Sequence, residues 1–186
     1  MPGWGYLLIG IGVLLFILLI WWVSTNNKFK VMGVKIDEAE SGIDVALTKR
    51  YDLLTKVLAT VKGYAKHEEE TLSKIVMMRN PGKQASMSEK QEFANMTTQA
   101  LKSVNLIVEQ YPTLKADTQF SGLQNSIRDV EEQLQAARRL YNANVSRYNQ
   151  AIIVFPASIV ANAKHLTKRD FFEVEEEKRQ DVKIEF

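Results

Sequence analysis

Residues 120 to 152 read FSGLQNSIRDVEEQLQAARRLYNANVSRYNQAI, and their spacing decides the fold class. Stripe positions recur at alternating intervals of three and four residues: Phe120, Leu123, Ile127, Val130, Leu134, Ala137 and Tyr141, then Asn144, Tyr148 and Ile152. Such a repeat puts a continuous stripe on one helix face, which is buried against other helices. The stretch therefore predicts a long helix over residues 118–155 in a coiled-coil-like bundle.

Two earlier segments have the same spacing, between breaks at Pro81-Gly82 and Tyr111-Pro112. They predict helices over residues 34–79 and 88–111, the second opened by a capping box from Ser86 to Glu89. Asp117 or Thr118 can cap the third helix. No window alternates with period two for long enough to predict a strand, and residues 182–186 are too short to decide. Short connections between helices make them antiparallel neighbours, so the sequence predicts an all-α bundle.

The N-terminal stretch from Trp4 to Val23 reads WGYLLIGIGVLLFILLIWWV, and the first 27 side chains carry no charge. Twenty helical residues rise about 30 Å, which matches the hydrocarbon thickness of a bilayer. Trp4 and Tyr6 lie at one end and Trp21 and Trp22 at the other, as interfacial aromatic belts do. A buried core helix is the first alternative and a cleaved signal peptide the second. The stretch lacks the basic leader and the small-residue cleavage site of a signal peptide, so we expect an uncleaved anchor.

The residues that flank this stretch predict its orientation. Lys28 and Lys30 follow it directly and Lys35 comes soon after, whereas the leading end offers only the α-amino group. Because basic flanks stay on the cytoplasmic side, we expect the anchor to cross the membrane once with its lysine-bearing end facing the cytoplasm. The N-terminus would lie outside and the bundle in the cytoplasm.

The predicted helix lengths leave part of the bundle uncovered. The second helix would be about 36 Å long, against about 69 Å for the first and about 57 Å for the third. Either the segment after Pro156 or a second copy of the chain must cover the difference. A homo-oligomer is the expectation that follows.

Polar residues interrupt the apolar stripes in two places. Arg50, beside Tyr51 and Asp52, falls in the stripe of the first helix, and Asn144 falls in that of the third. The neighbours of Asn144 on the third helix are also polar or aromatic: Tyr141, Asn142, Tyr148 and Asn149. Polar side chains in a seam fix helix register and partner choice. A binding or catalytic role for this set, or exposure through a different register, are the alternatives.

Motifs for chemistry are scarce in this chain. It has no cysteine, a net charge of +2, and no glycine-rich phosphate loop or nucleophile elbow, so no cofactor, nucleic acid or small-molecule substrate is expected. His67, followed by three glutamates, is too little for a closed zinc site, and His165 next to Lys164 reads as a surface residue. We therefore expect no catalytic residue and no metal site. A hydrolase using His67 and nearby carboxylates is the enzymatic alternative.

Several motifs resemble the LemA family of bacterial membrane-anchored helical proteins. They are Ile43-Asp44-Val45 with Lys49 to Leu54, Val61 to Ala65 with His67-Glu68, Tyr111-Pro112, Ala137 to Asn142 with Tyr148-Asn149 and Phe155-Pro156, and Phe171-Phe172-Glu173 with Val182 to Phe186. With the N-terminal span, the resemblance covers nearly the whole chain. Tyr64, which ends the stripe of the first helix, belongs to the second of these stretches.

The resemblance implies an anchor over residues 1–27 and a bundle of about four helices, three long and one short, over residues 28–170. The tail, residues 171–186, would dock on the bundle. It supplies no catalytic residue, and relatives include a protein of magnetosome membranes. We therefore expect a non-catalytic scaffold that self-assembles or docks partners at the membrane. Because family genes often lie beside membrane metalloprotease genes, the alternative is an adaptor or regulator of a membrane protease.

Overall fold

A computed structural model describes residues 3–64 and 78–173. Within these residues it has five helices and no strand: α1 Gly3–Tyr64, α2 Met87–Gln110, α3 Pro112–Lys115, α4 Thr118–Ile153 and α5 Ala157–Ala163. The predicted all-α fold with a long apolar N-terminal helix is confirmed. The end of the tail, including Val182 to Phe186, and the segment that contains His67 lie outside the described residues.

Helix α1 is continuous over 62 residues, so the apolar stretch and the first bundle stripe share one helix. The expected domain boundary at residue 27 falls inside this helix. The first bundle helix was predicted to run to residue 79, but Met78 and Arg79 are not helical. The reason is local, since Asn80 precedes a proline, which disfavours helical backbone, and Gly82 then turns the chain with a φ of 84°.

Spatial contacts divide the chain into two compact units. Unit 1 comprises residues 1–38 and 143–170, and unit 2 comprises residues 39–142 and 171–186. In unit 1, Phe29 of α1 meets Tyr148 of α4 edge to face, with ring centroids 6.1 Å apart. Ile36, Ile152, Val160 and Ala161 are also buried there.

The core of unit 2 lies where α1, α2 and α4 bring their stripes together. Its buried members are Leu54, Val57, Leu58, Val61, Met78, Ala100, Val104, Ile107, Val108, Leu114 and Phe120. Most of them lie on the predicted stripes, but Met78, Val108 and Leu114 do not. Met96, which the spacing of the second segment predicts to be buried, is exposed, and the adjacent Thr97 is fully buried.

Helix starts follow the predicted caps. The Ser86 hydroxyl accepts from the Glu89 N–H and the Glu89 carboxylate accepts from the Ser86 N–H, so the predicted capping box opens α2. Asp117 caps α4 by accepting from the N–H groups of Gln119 and Phe120. The third helix was predicted to run to residue 155, but α4 ends at Ile153, ahead of Pro156.

Candidate functional site: the apolar anchor and the polar contacts between helices

The apolar first third of α1 leaves a continuous run of apolar residues exposed. Its side chains from Trp4 to Val23 are exposed, with Leu14 at 57%, except that Gly5, Trp21 and Trp22 are half-buried. Tyr6 is exposed near the start, and Lys28 and Lys30 are exposed beyond the end. Soluble proteins rarely leave an apolar patch of this size in water, so this part of α1 fits a membrane anchor.

Arg50 joins three helices inside unit 2. Its side chain is 3% exposed, and its guanidinium donates to the Ala94 carbonyl at 2.8 Å and to the Thr97 hydroxyl at 2.7 Å, both on α2. It also donates to Thr98 at 2.9 Å and forms an ion pair with Glu131 of α4. A guanidinium stays protonated at any ordinary pH, so this group is suited to fixing helices rather than to transferring protons.

Lys90 forms a second buried ionic contact in unit 2. Its side chain is 1% exposed, and the ammonium lies 2.8 Å from the Glu40 carboxylate and 2.7 Å from that of Asp44, both on α1. Burial alone would lower the pKa of Lys90, but the hydrogen bonds and charges of Asp44 and Glu40 more than offset it and raise the pKa above its ordinary value. Lys90 therefore stays charged and ties α2 to α1.

Two tyrosines predicted as seam residues bind different partners. The Tyr51 hydroxyl donates to the Met78 carbonyl at 2.7 Å, and its ring packs against Phe93. The exposed Tyr64 donates to the Asp117 carboxylate at 2.9 Å, a contact that raises the pKa of Tyr64. Asp52, from the same predicted set, is exposed on α1.

In unit 2, Asn142 holds the extended chain that follows residue 170. Its amide donates to the Phe172 carbonyl at 2.9 Å and accepts from the Phe172 N–H at 2.8 Å. The Phe172 side chain is buried, and the Arg138 guanidinium lies 4.7 Å from the centre of its ring. These contacts fasten the beginning of the predicted tail, while Phe171 is exposed.

In unit 1, Asn149 makes the same pair of hydrogen bonds to Arg169. Its amide donates to the Arg169 carbonyl and accepts from the Arg169 N–H, both at 2.9 Å. Asn144 instead donates to the Lys35 carbonyl of α1 at 3.0 Å. Tyr141 in unit 2 and Tyr148 in unit 1 are both buried. Each asparagine thus forms hydrogen bonds with backbone groups that would otherwise need water as their partner.

Two cavities adjoin these contacts in unit 2. One, of about 280 Å³, lies between α1 and the Asn80-Pro81-Gly82 turn, with Lys90 in its wall. The other, of about 360 Å³, is bounded by Arg50, Arg128 and Glu131. Residues 3–64 and 78–173 contain no group of three or more His, Asp or Glu side chains placed to hold a metal ion, and His165 is exposed.

Hydrophobic periodicity did not reveal five residues of these interhelical contacts: Lys90, Thr97, Glu40, Asp44 and Glu131. Lys90 lies three residues before Phe93 and Thr97 four residues after it, so both fall in the stripe of α2. Reading polar residues at stripe positions as buried would have found both. The carboxylates give no such signal, because their partners are far away in sequence.

The fold and these contacts define a class: all-α proteins in which one long N-terminal helix is apolar in its first third and belongs to a helical bundle towards its end. The LemA family model matches residues 39–186, and the chain belongs to the LemA family. It is 27% identical to Protein LemA of Metamycoplasma hominis over 179 residues, which cover 95% of this chain and 80% of that protein. It is 30% identical to Magnetosome protein MamQ of Magnetospirillum gryphiswaldense over 73 residues, 39% of this chain and 27% of that protein.

Proposed function

We propose that this chain is a non-catalytic scaffold, anchored in a bacterial membrane by α1, that self-assembles or docks protein partners through its bundle. The observation that carries the proposal is the unbroken helix from Gly3 to Tyr64, whose first part is exposed and apolar and whose last part is built into a packed core. A continuous helix of this kind connects a membrane anchor to a helical bundle. It has no evident use in turnover.

The membrane step rests on length and flanking charge. The stretch from Trp4 to Val23 rises about 30 Å, enough to cross the hydrocarbon core. Lys28, Lys30 and Lys35 follow within twelve residues of Val23, which favours a cytoplasmic bundle and an outside N-terminus.

The contact step rests on how the polar and apolar groups of unit 2 are used. Arg50 and Lys90 are both occupied in joining helices. Leu106 on α2 and Leu140 on α4, by contrast, are exposed at 63% and 57%. These two leucines are therefore candidate positions for a contact with another protein, and the experiment below tests Leu106. One relative is named a magnetosome protein, which is in keeping with a place at a cellular structure.

The membrane step is tested by alkaline carbonate extraction of membranes that contain the full-length chain. We expect it to remain with the membranes, and a variant with lysine in place of Leu14, Ile17 and Leu18 to be released, because three charges at mid-span cost about 9 kcal/mol of insertion, more than the apolar side chains of the span contribute. The matched control is Val34→Lys, an exposed apolar position beyond the span. Release of the unchanged chain would contradict the anchor.

Self-assembly is tested by native mass spectrometry of the purified full-length chain in mild detergent. We expect oligomers that Leu106→Glu weakens and that Asn105→Glu, the same change at the exposed neighbouring residue, leaves intact. A monomer at every concentration would contradict self-assembly and leave docking of a different protein as the form of the proposal to pursue.

A further inference from the structure

The turn between α4 and α5 in unit 1 is unusually apolar for a surface connection. Phe155 is 75% exposed, and Ile153, Val154 and Ile159 are exposed as well. No charged residue occurs between positions 150 and 163. Turns that face water are normally built from polar residues and glycine, so this one is suited to a different solvent.

The turn is held in a defined conformation. Asn149 binds both backbone groups of Arg169, which closes the base of the loop formed by residues 150–168. Behind the exposed side chains, Ile152, Val160 and Ala161 are buried. The apolar tip is therefore presented by a packed base.

The position of the turn along α1 follows from two contacts within unit 1. Asn144 is bonded to Lys35, and Tyr148 packs on Phe29, so residue numbers rise along α4 as they fall along α1. Continuing by five to seven residues brings Ile153, Val154 and Phe155 level with residues 22 to 24. That level is the end of the apolar stretch, beside Trp22.

The surrounding charges match a lipid surface. The basic side chains of unit 1 outnumber the acidic ones, although Arg169 lies 3.9 Å from Asp37. The basic residues are Lys28, Lys30, Lys35, Arg147, Lys164, Lys168 and Arg169, and the acidic ones are Asp37, Glu38 and Asp170. Apolar side chains flanked by basic ones are the arrangement with which interfacial segments enter the headgroup region.

We infer that the turn from Ile153 to Ile159 inserts into the headgroup region of the bilayer that α1 enters, as a second membrane contact of the same chain. The inference rests on the proposed anchoring. Lipid is the expected contact because the turn is level with the end of the apolar span. Two contacts side by side would restrict rotation and tilt of the bundle on the membrane.

The test uses single cysteines, which the cysteine-free chain permits without background. Val154→Cys and Val34→Cys are matched, since both valines are 56% exposed and both lie in unit 1. Val34 is twelve residues beyond Trp22, about 18 Å along α1 and clear of the headgroups. Leu14→Cys, at mid-span, reports on the anchor.

Each full-length variant carries a nitrobenzoxadiazole label and is reconstituted into vesicles of phosphatidylethanolamine and phosphatidylglycerol. Quenchers are lipids with a nitroxide near the headgroup or near the acyl terminus, and aqueous iodide. We expect the label at 154 to lose most of its fluorescence to the shallow nitroxide and to resist iodide. The label at 34 should respond to iodide alone.

Each other outcome has one meaning. If the Leu14 label is quenched by the deep nitroxide while the label at 154 responds like that at 34, the anchor stands and the second contact is overturned. Protection at 154 from both iodide and nitroxide would mean that protein covers the turn, which also overturns the inference. Failure of the Leu14 label to meet the deep nitroxide would overturn the proposed anchoring itself.

Discussion

Replacing Lys90 with methionine tests the interhelical contacts of unit 2 most sharply. Methionine keeps most of the apolar stem of the side chain but removes the charge that lies 2.8 Å from Glu40 and 2.7 Å from Asp44. Two carboxylates one helical turn apart on α1 would then face an apolar neighbour and repel each other.

The magnitude follows from burial. Removing one partner of a buried ion pair costs about 3–5 kcal/mol, because the other charge stays uncompensated. Here Glu40 and Asp44 are 25% and 14% exposed and retain some water, so we expect a loss of about 3 kcal/mol from the free energy of unfolding. That is a large share of the roughly 5–15 kcal/mol that stabilises a typical domain.

The assay is urea unfolding of the full-length protein in detergent, followed by far-ultraviolet circular dichroism. Lys102→Met, an exposed lysine of the same helix, is the matched control and should change stability by less than about 0.5 kcal/mol. Adding Glu40→Gln and Asp44→Asn to Lys90→Met should restore part of the loss, since the uncompensated charges are gone. Equal stability of Lys90→Met and Lys102→Met would refute the reasoning.

Three further predictions concern Asn149, Gly42 and Asp117. Asn149→Leu should destabilise unit 1 by about 0.5–1.5 kcal/mol, because both of its hydrogen bonds to Arg169 are exposed, and should speed hydrogen exchange of the Arg169 amide. Gln150→Leu, at the exposed neighbour, should not change that exchange rate. Gly42→Ala should raise the free energy of unfolding by about 0.5–1 kcal/mol, because alanine favours helix over glycine. The added methyl has room, since it would meet only the Ala137 Cβ at an ordinary 3.7 Å. A loss of stability in urea unfolding would mean that the helices are closer than this. The N–H groups of Phe120 and Gln119 and the Tyr64 hydroxyl donate to the Asp117 carboxylate and hold its pKa below its ordinary 3.8, so the stabilisation by Asp117 is present above that value and is lost as the pH falls through the lowered pKa. In urea unfolding from pH 7 to pH 3, Asp117→Asn should therefore lose less free energy of unfolding than the unchanged chain does. An equal loss in both would count against the cap.

The helices and their caps were predictable because their signals are local. The stripe from Phe120 to Ile152 and the Ser86 to Glu89 box are each complete within one segment of sequence. The ends of helices were less predictable. Met78 and Arg79, just ahead of Asn80 and Pro81, are not helical although the apolar spacing placed them in the first helix.

The polar contacts were predictable only in part, because burial of a charge depends on partners that are distant in sequence. Arg50 was found since it interrupts a stripe, but its acceptors on α2 and α4 were not. Asn142 and Asn149 were expected to fix helix register. Their effect on register stays a prediction; the structure shows each bound to the backbone of a residue after α5, a type of partner that helical periodicity does not encode.

The most direct test of the anchored scaffold is an image of the full-length protein in a lipid nanodisc by cryo-electron microscopy. We predict that the segment from Trp4 to Val23 crosses the bilayer and passes without a break into the bundle outside it. Density that places this segment in water, or packed within a bundle free of lipid, would contradict the account.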